Sequence, residues 1–482
     1  MNDRLAVTSV QVTMALTDRE RVGHLLRRFG FGASEAEIDY YVKDGWKGAV
    51  EKLLNPEGVD EQIEFPVDSM ENDNGNIQVQ QVAAWWIGWM LMTRRPLVHK
   101  MASFWHNHFA TSGDKVTQAY LMAAQNEIFV TKGLGKFEDL LVATSKDPAM
   151  LIWLDGQLNI KGRANENFAR EIMELFTLGV GNYSEKDVQE AARAFTGWSF
   201  TRERQGKRGM ASYVFKPVLH DTGTKMVLGK SGNLTGEDVI SHICTMPRTA
   251  EFLTEKIWKW FVSDNPTPAT LKPFAKAFYD SGLDMKVLLR AIMLSEEFYS
   301  PKVVRRLIKN PLDFTVSTLR AMGIGENIRT RLTTETQNDK KRGALGPAQG
   351  AYVTSKAMGM WILFPPDVSG WKPGENWITS ATMVERIQWA NKLMGLGNAR
   401  GAASGNLKYP VYNLLAADPT TFGVAKKLCS IYDAPLEGAK LAKLAEAAEK
   451  EMAGQGLTPQ NANKVAASVM KLIFGSPEFQ FC

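Results

Sequence analysis

The chain has 482 residues, of which 44% are hydrophobic and 23% charged, enough apolar mass for a buried core without disulfide staples and the wrong balance for a disordered chain. Its net charge of +5 is a mild excess, and the local clusters Arg27-Arg28, Arg305-Arg306 and Lys340-Lys341-Arg342 form no sustained basic stripe, so nucleic-acid binding is not expected. The three cysteines, Cys244, Cys429 and Cys482, lie far apart with no CxxC pair, which excludes a disulfide framework and a zinc-finger site.

The first eighteen residues lack the basic start, unbroken apolar stretch and cleavage site of a signal peptide. The most apolar stretch, 82–92, is too short to span a bilayer. A soluble cytoplasmic protein is the expectation, with an exported form whose leader has been removed as the alternative. Thr17-x-x-Glu20 and Ser34-x-x-Glu37 read as capping boxes, as do Ser184-x-x-Asp187 and Thr235-x-x-Asp238 with Asp in place of Glu. Gly30 and Gly32 separate the first helix from the second, and 57–75 reads as a polar loop. Helical patterns follow at about 77–95, 96–110, 115–132, 136–145, 165–178 and 185–196, with Pro96 at a break. From 202 to 232 the pattern stops, and the β-prone pieces 213–215 and 226–228 suggest a small hairpin. Helices resume near 236–245, 248–263, 267–280, 284–294 and 302–322. The segment 326–345 is polar and reads as mobile, 349–360 as a helix, and 365–374 as a loop rich in Pro and Gly. Helices at about 380–395, 419–430, 437–451 and 459–474 close the chain, and no solenoid-period repeat is present. The expected fold is mainly α, a multi-helix globular bundle with a small irregular or β-hairpin excursion near 200–232. It reads as one large helical domain, 1–482, with sub-lobes 1–200 and 233–482 joined by 201–232 as the alternative.

On the predicted helix 165–178, Glu166, Asn167, Arg170, Glu171 and Glu174 share one face at about 100° per residue. One reading is a solvated face laced with ion pairs, Glu166–Arg170 and Arg170–Glu174 being four apart. The other is a cleft wall on which Glu171 and Glu174 bind a metal or act as acid and base. In the following helix Glu190 and Arg193 fall on the exposed side, with Val188, Ala191, Ala192 and Phe195 available for packing.

Phe104-Trp105-His106-Asn107-His108-Phe109 is the densest histidine segment. An HxH pair chelates well from a strand, but on a helix the two side chains sit about 160° apart. His108 looks like a core residue beside Leu97, Met101 and Phe104, and His106 ranks above it as a ligand. His220-Asp221, with Lys225 soon after, lies in the irregular segment and reads either as functional or as a turn. His242 looks like an ordinary helix residue. Trp371 and Trp377 make either an aromatic platform for a sugar or peptide, or a plug at the edge of a core.

These segments carry a resemblance. His24–Gly32, Phe104–Phe109, Asn165–Glu171, Glu174–Gly179, Ala192–Trp198, His220-Asp221 with Lys225, and Pro366–Trp371 together resemble the bacterial family called domain of unknown function 1800, from about residue 20 to the C-terminus. The resemblance implies no established activity. It implies that many members are exported, and that relatives are often encoded beside sulfatase- and phosphatase-like proteins, hence envelope or polysaccharide work. It also implies that His106, His108, Glu166, Asn167, Arg170, Glu171, Glu174, His220 and Asp221 belong together.

The leading expectation is an enzyme with a carboxylate/histidine site between helices, acting hydrolytically or by group transfer on a polar polymer such as a polysaccharide. Glu171 and Glu174 would bind metal or act as acid and base, with His106, and His108 after it, as metal ligands. His220 beside Asp221 would carry protons, and Arg170 and Lys225 would stabilise anionic charge. The mixed oxygen and nitrogen donors would suit Mn, Fe or Zn. The alternative is a non-catalytic binding or assembly protein in which the polar helix face is a structural network.

Overall fold

The computed structural model describes residues 16–202, 210–335, 338–396 and 411–482. Of the described residues, 62% are helical. Its strands among the described residues are two antiparallel hairpins, β1 (Trp198–Arg202) with β2 (Ala211–Phe215), and β3 (Lys225–Val227) with β4 (Lys230–Gly232). The mainly α architecture with an excursion near 200–232 is therefore what forms. All four expected capping boxes close, each cap side chain accepting the N3 amide while the N3 carboxylate accepts the cap N–H.

One hydrophobic core runs from Val22 to Phe479 and takes in side chains of both chain halves. Its most apolar element is the Val79–Met92 helix, buried on nearly every side. Among the described residues no helix is long and apolar enough to cross a membrane.

Three expected elements differ. The helix expected at 302–322 begins only at Pro311, capped by Asn310, whose side chain accepts the Asp313 N–H. Proline at the first helical position sets the start and leaves 302–310 outside the helix, 302–305 as a turn and Ile308 bridged to Phe481. The polar segment 326–345 is helical at Ile324–Thr334 and Asn338–Ala344. Ile324, Ile328 and Leu332, spaced by four, bury a narrow stripe that the surrounding charges masked. Finally, the predicted helix 165–178 is α-helical only over Glu166–Glu171 and continues as a π-helix over Ile172–Thr177. Residues 1–15, most of the stretch read for a leader, lie outside the described residues.

Candidate functional site

Five of the six histidines bond a backbone group of another segment. The helix Pro96–His108 ends in three successive side chains that splay to three places. His106 Nε2 accepts the Leu363 N–H at 3.2 Å, between the edges of Trp86 and Trp371. Asn107 Oδ1 accepts the Trp371 N–H at 2.7 Å. His108 Nε2 meets the Phe176 carbonyl at 3.1 Å. His24, His220 and His242 bond the carbonyls of Phe298, Thr196 and Leu228. Burial pulls the His106 imidazole down to about 3, so it is neutral at physiological pH. Trp371 and Trp377 are buried, which supports the plug reading.

The turn that receives Asn107 is intolerant of a side chain. Gly370 has φ 79, and a Cβ there would come within 3.0 Å of Asn107 Cγ, and closer still to both of its oxygens. We expect Gly370→Ala to lower stability by about 2–4 kcal/mol, combining left-handed strain with that clash. A thermal melt indistinguishable from wild type would show that the loop is not pinned.

The π-helix explains His108. Its wider turns alter which side chains share a face and leave carbonyls at its C-terminal end for other donors. The Leu175 carbonyl takes the Lys256 ammonium at 3.1 Å, Phe176 takes His108, and Leu178 takes Arg248 at 2.9 Å. Lys256 also donates to His108 Nδ1 at 3.3 Å, which assigns the imidazole proton to Nε2. Burial brings Lys256 down to about 8. The expected face is divided accordingly. Arg170 pairs with Glu166 at 3.2 Å and with Glu185 at 2.8 Å, rather than with Glu174. Glu174 accepts the Tyr183 hydroxyl. Asn167 donates to the Leu154 carbonyl at 3.3 Å. Glu171 is half-buried, has no hydrogen-bond partner among the described residues, and is shifted upward by burial and then by Glu174.

Of His220, Asp221 and Lys225, Asp221 ties the segment before the second hairpin to the Glu185–Ala194 helix. Asp221 takes Arg193 in a two-point pair at 2.8 and 3.2 Å, and that guanidinium holds its carboxyl at about 2. Lys225 is buried on the Gly223 carbonyl and Asn233 Oδ1. Glu190, expected on the exposed side, is buried, because β3 lies over it and Met226 donates its N–H to it. His220 points instead at Thr196, so neighbouring in sequence does not pair it with Asp221.

No hydrogen bond or ion pair among the described residues joins His106, His220 and the Glu171–Glu174 pair to one another. Nor are three His, Cys, Asp or Glu side chains grouped there to hold a metal ion. With both His108 nitrogens engaged and the His106 Nε2 lone pair filled by Leu363, the donor set expected for Mn, Fe or Zn does not assemble.

A concave site forms elsewhere, between the Asp18–Phe29 helix, the 303–309 turn and the segment after the Thr421–Ile431 helix. An open cleft of ≈ 640 Å³ shares Gly23, Arg27 and Asp433 with an inner cavity of ≈ 40 Å³, room for roughly two or three waters. Asp433 receives Arg27 from one side and Arg305 from the other at 2.5 Å. Both Arg305 (φ 54) and Asp433 (φ 49) are left-handed, a strained conformation for such residues. Arg28, wholly buried behind them, donates to the carbonyls of Phe261, Val262 and Val303. Lys309 lines the inner cavity, 6% exposed. Its ammonium lies 3.6 Å over the Phe479 ring and has no hydrogen-bond acceptor among the described residues. Burial draws it down to about 7, opposed by Cys482 and Asp433. Asp313 is held by Lys100, so Arg27, Arg305 and Lys309 gather around Asp433 and Cys482, which lines the same cavity. In the sequence, Arg27-Arg28 stands out as local charge and as part of the His24–Gly32 motif, and Arg305-Arg306 as charge alone. The available signal was that Arg28 follows His24 and Leu25 by four and three residues on an apolar helix face.

Compared with known proteins, residues 24–481 match the family model described as Protein of unknown function (DUF1800). No curated protein and no solved structure matches the chain.

Proposed function

Because the chain belongs to the DUF1800 family, whose match spans nearly its whole length, we propose that it is a binding protein whose histidine and carboxylate network frames the helical body, and that the cleft over Asp433 receives an anionic group of a polar polymer. Carboxylates or sulfates of an acidic polysaccharide have the required charge. The observation that carries this reading is Lys309, a buried ammonium that lines a cavity, lies over an aromatic face and has no hydrogen-bond acceptor among the described residues. An anion entering past Arg27 and Arg305 supplies the missing acceptor.

The test is calorimetric titration of polygalacturonate and of neutral dextran into wild type and Lys309→Met. The acidic polymer binds and dextran does not. The variant, similar in volume, loses one charged hydrogen bond, about 1.5–3 kcal/mol or roughly 10–100-fold in affinity. Binding is stronger at pH 6 than at pH 8, since the ammonium is lost as pH rises through about 7. Equal binding of both polymers, or an unimpaired variant that keeps wild-type circular dichroism, overturns the reading.

A second reading, hydrolytic or group-transfer chemistry on the same polymer, is favoured by Glu171, half-buried and shifted upward in pKa beside a carboxylate held by tyrosine. Turnover of the acidic polymer that disappears in Glu171→Gln while binding persists selects this reading.

A further inference from the structure

The network that absorbs His220 and Asp221 also supports a rim of unusual composition. Two tight turns meet there: Gly156–Leu158 with the residues after it, and Pro217–Leu219 following β2. They are tied by Lys161 N–H to the Leu219 carbonyl at 2.8 Å, by Gly197 N–H to the Asn159 carbonyl at 3.0 Å, and by Lys216 N–H to the Gly197 carbonyl at 2.8 Å. Asn159 donates in turn to the Ala192 carbonyl, so the rim is anchored to a core helix.

From this rim Leu158, Phe215 and Val218 project into solvent, 54%, 38% and 87% exposed. Lys161, Arg163 and Lys216, close to them in the chain, are exposed as well, with no ion pair among the described residues. The acids nearest in sequence are already engaged: Asp155 with Lys115, Glu166 with Arg170 and Asp221 with Arg193. The surface is thus apolar at its tips and carries positive charge that no ion pair compensates among the described residues.

We propose that this rim docks the protein peripherally on an anionic lipid surface, with Val218 and Leu158 entering the headgroup boundary and the three cations meeting lipid phosphate and carboxylate groups. Two features favour lipid over an acidic protein or a second copy of the chain. The apolar groups are turn-borne protrusions, not a groove or a flat face, and so reach into a soft medium without needing a shaped partner. The cations lie on the same two turn segments, which matches the negative charge of a lipid surface laid over the rim. The site is separate from the cleft over Asp433, so either inference can fail alone.

The experiment is co-sedimentation of the full chain with phosphatidylcholine vesicles, with and without phosphatidylserine. Binding is expected only with phosphatidylserine, and it falls as salt rises. Lys161→Glu and Lys216→Glu each weaken it at least about fivefold, the change expected for one basic side chain at such a surface. Val218→Ser, which removes apolar surface without changing charge, weakens it as well, at unchanged circular dichroism, and Lys309→Met leaves it as in wild type. The proposal is overturned if phosphatidylserine vesicles do not bind. It is equally overturned if both vesicle types bind alike, or if Val218→Ser binds as wild type does, which would mark the rim as a charge-only surface for an acidic macromolecule.

Discussion

Arg28→Met is expected to destabilise the folded protein by about 3–5 kcal/mol, read as a lowered urea midpoint at unchanged slope. Arg28 is wholly buried and supplies the donors for three carbonyls, Phe261, Val262 and Val303, at 3.2, 3.0 and 2.5 Å. Methionine fills much of the volume but donates nothing. Each orphaned carbonyl then costs about 1–3 kcal/mol. Relief from burying a cation offsets part of that, since burial has already lowered the guanidinium to about 10. Arg28→Lys should recover little, because one ammonium cannot span three acceptors that a planar fork reaches together. The same change should weaken binding of polygalacturonate, since Val303 leads into the turn that carries Arg305. A loss below about 1 kcal/mol would mean that water or another donor replaces the fork, and the account of this corner would be wrong.

Asp147→Asn is expected to do the opposite at alkaline pH. Asp147 is buried at the start of the Pro148–Trp153 helix, where Oδ2 accepts Gln125 Nε2 at 2.8 Å and the Met150 N–H at 3.3 Å. Burial overrides both hydrogen bonds and raises the carboxyl to about 7. The folded state therefore holds this proton more tightly than the unfolded chain, where the group titrates near about 4. Its contribution to stability is fully present below about pH 4, declines as pH rises, and is lost through about pH 7. Asparagine accepts the same two hydrogen bonds and never ionises. The variant should exceed wild type by about 2–4 kcal/mol at pH 8, and the gap should close toward pH 4. Paired denaturation curves at several pH values measure this. A variant less stable than wild type at pH 8 would mean that the helix start requires the charged carboxylate.

The two residues mark the edge of what the sequence displays. Arg28 stands in a run of helix-compatible residues with a visible cap at Thr17, so its helix was legible. Its three acceptors were not, because they lie more than two hundred residues away along the chain. The site followed the same division. His106 and His108 stand out in the sequence as the densest histidine segment, on a predicted helix. The destinations of His106, Asn107 and His108, namely Leu363, Trp371 and Phe176, come from three segments that no local pattern connects. The expected Arg170–Glu174 pair assumed α-helical spacing across 165–178, and the π-turn at 172–177 removed that assumption. Glu190 was placed outward because helix periodicity cannot show that a later hairpin will lie over that face.

Caps, prolines and apolar spacing act within a few residues, so the sequence alone settled the mainly α class, the four closed capping boxes and most helix positions. Whether a charged side chain meets solvent, a carbonyl or another charge depends on which distant backbone is packed beside it. Tertiary structure alone therefore decided that the histidines clip loops to helices. It also decided that Arg27, Arg305 and Lys309 gather around Asp433, since groups in a low-dielectric interior answer to whatever surrounds them in space and not to their neighbours in the chain.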